Sequence, residues 1–178
     1  MILTDESGKM EFNFTGFISA DYFDIQDNKC AGLKLVDFVA ENDENQIFIE
    51  VKNYLNFSDD EKIQIAMDKR RKTDYLKLTD WFSAFPLEIG MTFKDSLFRW
   101  LASGNEFKKP VVLLLVINPP TELKSRERRH LLNKINGYIP SGMNNKLEKY
   151  PKMSPVFFDM PYIADIPKRY GFKVSVTS

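Results

Sequence analysis

Cysteine and histidine are nearly missing from this chain, which carries only Cys30 and His130 among its 178 residues. A lone cysteine excludes an intramolecular disulfide and fits a reducing compartment, so a cytoplasmic location is expected. The same scarcity excludes multi-histidine metal hydrolases and zinc sites built on cysteine pairs. His130 leaves room for at most one Ser-His-acid triad, without the Gly-x-Ser-x-Gly elbow that would support it. No phosphate-cradling Gly-x4-Gly-Lys-[Ser/Thr] loop exists, since Gly8-Lys9 lacks the upstream glycine. No apolar run approaches the roughly twenty residues of a membrane span; the longest, Val111 to Ile117, has strand length. The opening MILTDESGKMEF lacks a basic segment followed by an apolar one, so no signal peptide is expected.

Net charge is also missing: 25 basic residues balance 25 acidic ones. The zero hides an asymmetry. Residues 1–60 hold 13 acids and 4 bases, a balance of −9, whereas residues 61–178 hold 12 acids and 21 bases, a balance of +9. An acidic half suits a cation and a basic half suits phosphate, while the neutral total argues against tight, sequence-blind nucleic-acid binding. Fifteen phenylalanines supply ample core for one domain spanning 1–178.

The most informative stretch is LKLVDFVAENDENQIFIEVKNY, residues 33–54. Two apolar arms flank a polar centre at Glu41 to Gln46, a hairpin signal. With the turn at Asp43-Glu44, opposed residue numbers sum to 87, which sets Asp37 across from Glu50 and Leu35 across from Lys52. Alternation then predicts one face of Val36, Phe38, Ala40, Ile47, Ile49 and Val51, turned to the core. The other face carries Leu35, Asp37, Val39, Phe48, Glu50 and Lys52. Two carboxylates ~5 Å apart repel by roughly 3 kcal/mol at an effective dielectric of ~20. Lys52 offsets part of that and a divalent cation offsets more, so the trio is a candidate metal site.

The spacing also resembles a family. An Asp, twelve intervening residues and then Glu-x-Lys on the next strand is similar to the active-site signature of the PD-(D/E)xK nucleases, the restriction-endonuclease-like phosphodiesterases; here it is Asp37 and Glu50-Val51-Lys52. Val36 stands where the family name has proline. Four other [Asp/Glu]-x-Lys triplets occur, beginning at Asp27, Asp60, Glu106 and Glu122, but only Glu50 lies in a β-branched strand facing an acid. The resemblance implies that Asp37, Glu50 and Lys52 are catalytic, and that Asp37, Glu50 and the Val51 carbonyl hold Mg²⁺ or Mn²⁺. It further implies a third acid from an early element, for which Asp24 is the first candidate and Asp21 and Glu11 are others. Lys94 and Ser96, on the helix after the Glu-x-Lys strand, become candidate phosphate or metal-water contacts.

Elsewhere, residues 11–18 read as a first strand, and Ser58 to Glu61 as a capping box opening a helix through Arg70, with four consecutive bases at 69–72. Thr92 to Asp95 reads as the start of a helix with Phe93, Leu97, Trp100 and Leu101 on its core face, closed by Gly104. VVLLLVI at 111–117 has no alternation and predicts a central strand in parallel pairing. Thr121 is the expected cap of a basic helix bearing Lys124, Arg126, Arg128 and Arg129, of which Lys124 and Arg128 are candidate nucleic-acid contacts. Residues 137–155 read as loop, and PVFFDM and FKVSV as two late strands.

The expected fold is therefore α/β, a central mixed sheet with helices on both faces. The resemblance makes it restriction-endonuclease-like, an αβββαβ-type core with extra helices. The expected function is Mg²⁺-dependent hydrolysis of nucleic-acid phosphodiesters, DNA ahead of RNA. The expected partners are the nucleic acid and, as an option, a second copy in a homodimer, with no membrane. The alternative is a catalytically degenerate module that binds nucleic acid or a protein partner, or a toxin/immunity-type interaction protein.

Overall fold

The computed structural model describes residues 1–6, 8, 10–24, 33–53, 78–118, 123–138, 153–159 and 165–176. The capping-box helix from Ser58, the bases at 69–72, the Thr121 cap, Cys30, Asp27, Asp60, Glu122 and most of the 137–155 loop lie outside these residues.

The protein is a mixed α/β fold with two sheets. Strands β1 (Ile2–Thr4), β2 (Met10–Asn13) and β8 (Lys173–Val176) form an antiparallel sheet in the order β1-β2-β8. The larger sheet runs β3 (Ser19–Tyr22), β4 (Phe38–Glu41), β5 (Gln46–Asn53), β6 (Val111–Asn118) and β7 (Met153–Asp159) in that order. Its β3, β4 and β5 are antiparallel neighbours, while β5, β6 and β7 are parallel. Helix α1 (Leu78–Ala102) connects β5 to β6, α2 (Ser125–Tyr138) follows β6, and the short α3 (Ile166–Tyr170) precedes β8.

The two faces of the large sheet are covered differently. Val112, Leu114 and Val116 of β6 join Phe38, Ala40, Ile47, Ile49 and Val51 in one core, against Met10, Phe12, Phe14, Ile166 and Phe172. Val111, Leu113, Leu115 and Ile117 point the other way, into a core with Phe85, Ile89, Phe93 and Leu97 of α1 and Leu131 and Ile135 of α2. Both faces of β6 are therefore dry, which is why its sequence is apolar without alternation. Each such fully buried aliphatic side chain contributes about 1.5–3 kcal/mol. Helices lie on both faces, but unequally: one face carries α1 and α2, and the other carries the small sheet with the short α3.

The hairpin pairs in the register expected, Phe38 with Ile49 and Glu41 with Gln46. Its turn is held by Asn42, whose side-chain oxygen accepts the Glu44 and Asn45 amides at 3.0 and 2.7 Å. Lys109 closes over it, donating to the Asn42 carbonyl and pairing with Glu41, both at 2.7 Å. Val36 departs from expectation. It packs with Val39 and Phe48 on the helix side, because β4 begins only at Phe38 and strand alternation does not extend back to it.

Helix α1 also begins earlier than expected, at Leu78 and not at Thr92. Thr92 looks like a cap in the sequence, but its hydroxyl donates to the Glu88 carbonyl one turn back at 3.1 Å, the habit of a threonine inside a helix. Phe93 and Leu97 are buried as expected, whereas Leu101 is 40% exposed. Gly104, at φ 81°, ends the helix by donating to the Leu101 carbonyl. Where α1 crosses α2, a Cβ on Gly90 would lie 2.3 Å from that of Tyr138, so only glycine permits the approach. At the start of α2, Glu127 reaches back to accept the Lys124 amide at 2.7 Å, the reciprocal half of a capping box. No described helix is long and apolar enough to cross a membrane.

Candidate metal centre between the hairpin arms

Asp37 stands immediately before β4, held from three sides. Its carbonyl accepts the Phe23 amide at 2.9 Å, and its Oδ2 accepts the Val51 amide at 2.6 Å. Just upstream, the Val36 amide donates to Ser96 Oγ at 2.8 Å and the Lys34 amide to Asp95 Oδ2 at 3.1 Å. The next residue, Phe38, is wedged between Phe12 and Tyr22, with ring centroids 5.0 and 5.3 Å away. The segment 34–38 is therefore pinned by α1, by β5 and by the small sheet, although Asp37 itself lies outside the regular ladder.

Glu50, on β5, is only 3% exposed. Its Oε1 lies 2.5 Å from the Lys52 ammonium, while its Oε2 is buried with no hydrogen-bond partner among the described residues. An ionised buried oxygen without a donor is costly, so this position calls for a proton or a cation. The electrostatics agree. Burial, with Asp37 adding to it against the opposing pull of Lys52, raises the Glu50 pKa to about 8. Burial likewise raises Asp37 to about 6, against the Val51 amide and Lys52 and helped by Glu6 and Asp24. Lys52 is lowered by burial and raised by more through Glu50 and then Asp37, so it stays charged.

Asp37 also lines a cleft of about 240 Å³ with Thr4, Asp5, Glu6, Tyr22, Asp24 and Phe38. Asp24, the candidate third acid, thus shares a cleft with Asp37, whereas Asp21 lies on β3 opposite Val39 and Glu11 on β2 opposite Ser175. Glu50 is not among the cleft's lining residues. Among the described residues no group of three or more His, Cys, Asp or Glu is arranged to hold a metal. The donor set fits a hard cation that keeps most of its waters, for which one or two carboxylates suffice.

The remaining candidates divide. Ser96 is fully buried, and its hydroxyl accepts from Val36 while donating to the Thr92 carbonyl at 2.8 Å. This corrects its expected role: it holds the approach to Asp37 and does not reach solvent to touch phosphate. Lys94 is exposed on α1, Lys124 is exposed just before α2, and Arg128 is half-buried on α2. Trp100 packs on Phe23 and Phe48, with centroids 6.2 and 5.7 Å away, as expected of a core residue. Sequence reasoning missed Glu6 and Glu88, which both act on the site electrostatically. Glu6 sits in a short turn with no motif, and Glu88 on a helical turn not foreseen, so neither had a signal. The chain matches no family model, no curated protein and no solved structure.

Proposed function

We propose that this protein is a divalent-metal-dependent phosphodiesterase acting on nucleic acid, with DNA ahead of RNA. The observation that carries the reading is the buried Oε2 of Glu50, without a hydrogen-bond partner among the described residues, close enough to Asp37 to feel its charge. The chain order supports it: an antiparallel β3-β4-β5 meander, then α1, then β6 parallel to β5. That order is compatible with the βββαβ part of a restriction-endonuclease-like core, whose leading helix has no counterpart among the described residues before β3.

Asp37 and Glu50 would hold Mg²⁺ or Mn²⁺, with the Val51 carbonyl and Asp24 as further oxygen donors. The bound cation supplies charge that polarises the scissile phosphate and lowers the pKa of a bound water. The Val51 amide keeps one Asp37 oxygen engaged and so fixes the carboxylate's orientation. Lys52 presents a permanent positive charge beside Glu50, suited to orienting the attacking water and to stabilising negative charge that develops on the phosphate. Among the described residues Lys94, Lys124 and Arg128 would contact backbone phosphates, while Ser96 acts by holding Val36.

The second reading, a non-catalytic module of the same fold, is favoured by the Lys52–Glu50 pair, which balances the Glu50 charge without a cation. Calorimetry with Mg²⁺ and Mn²⁺, together with cleavage assays on supercoiled, single-stranded and branched DNA and on structured RNA, separates the two. Metal-dependent cleavage that disappears in Asp37→Asn and Glu50→Gln supports the enzyme. A protein that binds neither ion and cleaves nothing is the module.

A further inference from the structure

The outer face of α1 presents an apolar stripe that no described residue covers. Leu87, Met91, Phe98 and Leu101 are all exposed, Phe98 at 62%. At 3.6 residues per turn they fall within about 80° of arc, along about 21 Å of helix. Lys94 lies inside the same arc. Glu88, Asp95 and Arg99 follow one edge of it, and the opposite edge turns into the core at Phe93 and Leu97. Apolar side chains aligned this way on a soluble protein mark an interaction surface.

We infer that this stripe is the seam of a homodimer, in which α1 packs antiparallel on α1 of a second copy about a two-fold axis between Lys94 and Asp95. The pattern is complementary to itself about that point. Residue numbers across such a seam sum to 189, so Met91 meets Phe98 of the second copy, and Leu87 lies beside its Leu101 and Ala102. A two-fold axis of this kind brings each edge of the helix against the same edge of its partner. Glu88 of one copy therefore lies within a turn of Arg99 of the other, twice over by symmetry, and each Lys94 opposes an Asp95. A parallel packing, by contrast, would set this charged edge against the opposite edge of the partner, the one that turns into the core at Phe93 and Leu97, and would leave Glu88 and Arg99 unmatched across the seam. A single helix face is smaller than the roughly 800 Å² per partner of a standard stable interface, so the seam belongs with weak, transient associations.

Sedimentation velocity on the full chain, from about 1 to 300 μM, tests this around the micromolar range of Kd. The expected result is a concentration-dependent monomer–dimer equilibrium. Phe98→Asp should be monomeric throughout with an unchanged far-UV circular dichroism spectrum. Arg99→Glu turns two attractions across the seam into two repulsions and should weaken association about tenfold or more, and adding Glu88→Lys should restore it. A wild-type chain that stays monomeric to the top of the range overturns the inference. So does a dimer that survives Phe98→Asp, and so does a double variant no tighter than Arg99→Glu alone, which would refute the antiparallel register.

Discussion

Ser96 and Val36 are sixty residues apart in the chain, yet the Val36 amide donates to the Ser96 hydroxyl at 2.8 Å, one residue before the acid that accepts the Val51 amide. Helix α1 thereby sets where the backbone stands as it enters Asp37. Ser96→Ala leaves the buried Val36 amide without an acceptor, at a cost of about 1–3 kcal/mol. Urea unfolding should show that loss. Under conditions where the variant is folded, metal-dependent cleavage should fall in kcat more than in KM, because Asp37 is displaced while the substrate surface is not. Lys94→Ala, two residues away but exposed, should leave the urea midpoint unchanged.

A pH dependence follows from the raised carboxyls. Glu50 moves from its ordinary 4.5 to about 8 and Asp37 from 3.8 to about 6. Between each pair of values the folded chain keeps a proton that the unfolded chain has released, so stability falls as pH rises. Without metal, these two groups favour the fold most below pH 4, and that advantage is lost as pH passes about 6 and then about 8. A divalent cation displaces the protons, so Mg²⁺ should bind more tightly with rising pH and flatten the decline. Urea midpoints from pH 4 to 9, with and without Mg²⁺, measure both effects. Glu50→Gln should remove most of the slope above pH 6, and an unchanged slope there would mean that Glu50 does not carry it.

What was legible in the sequence follows from where local pattern and tertiary burial agree. The hairpin register could be read because Ile47, Ile49 and Val51 are buried on one face with a polar turn beside them. Strand β6 could be read because both its faces are dry. Strand β3 could not, since only Ala20 of its four residues is buried and the segment reads as a polar loop. The start of α1 was hidden by Thr92, whose hydroxyl serves the helix interior while resembling a cap. Glu50 and Lys52 were legible as neighbours on strand β5, but what ties Asp37 to that strand is its side-chain bond to the Val51 amide, one residue outside the β4–β5 ladder. Glu6, Glu88 and the true work of Ser96 depend on how separate elements pack, and no local pattern encodes that.

Lys52 should separate binding from chemistry. Removing one partner of a buried ion pair costs about 3–5 kcal/mol when the other must stay charged. Glu50 escapes part of that cost by keeping its proton, since Lys52 is what pulls its pKa down. Lys52→Met is therefore expected to fold and to hold Glu50 protonated to a higher pH than in the wild type. Mg²⁺ binding at pH 9 should persist by calorimetry, while cleavage is lost. If Mg²⁺ binding is lost as well, Lys52 orients the carboxylates and is not the group that acts on the phosphate.

The crossing of α1 over α2 is set by a missing side chain, and it too can be measured. A Cβ at position 90 would meet the Tyr138 Cβ at 2.3 Å, far inside contact distance. In an open helix Gly90→Ala would stabilise by up to about 1 kcal/mol through helix propensity. Here the clash should reverse the sign, since forced overpacking costs about 1–3 kcal/mol. Trimming the ring alone cannot relieve a conflict with Cβ, so Gly90→Ala with Tyr138→Ala should remain destabilised. Gly90→Ala with Tyr138→Gly should recover part of the loss, because the clashing atom is gone. Equal urea midpoints for the two double variants would show that the helices separate to make room, and that Gly90 does not fix their spacing.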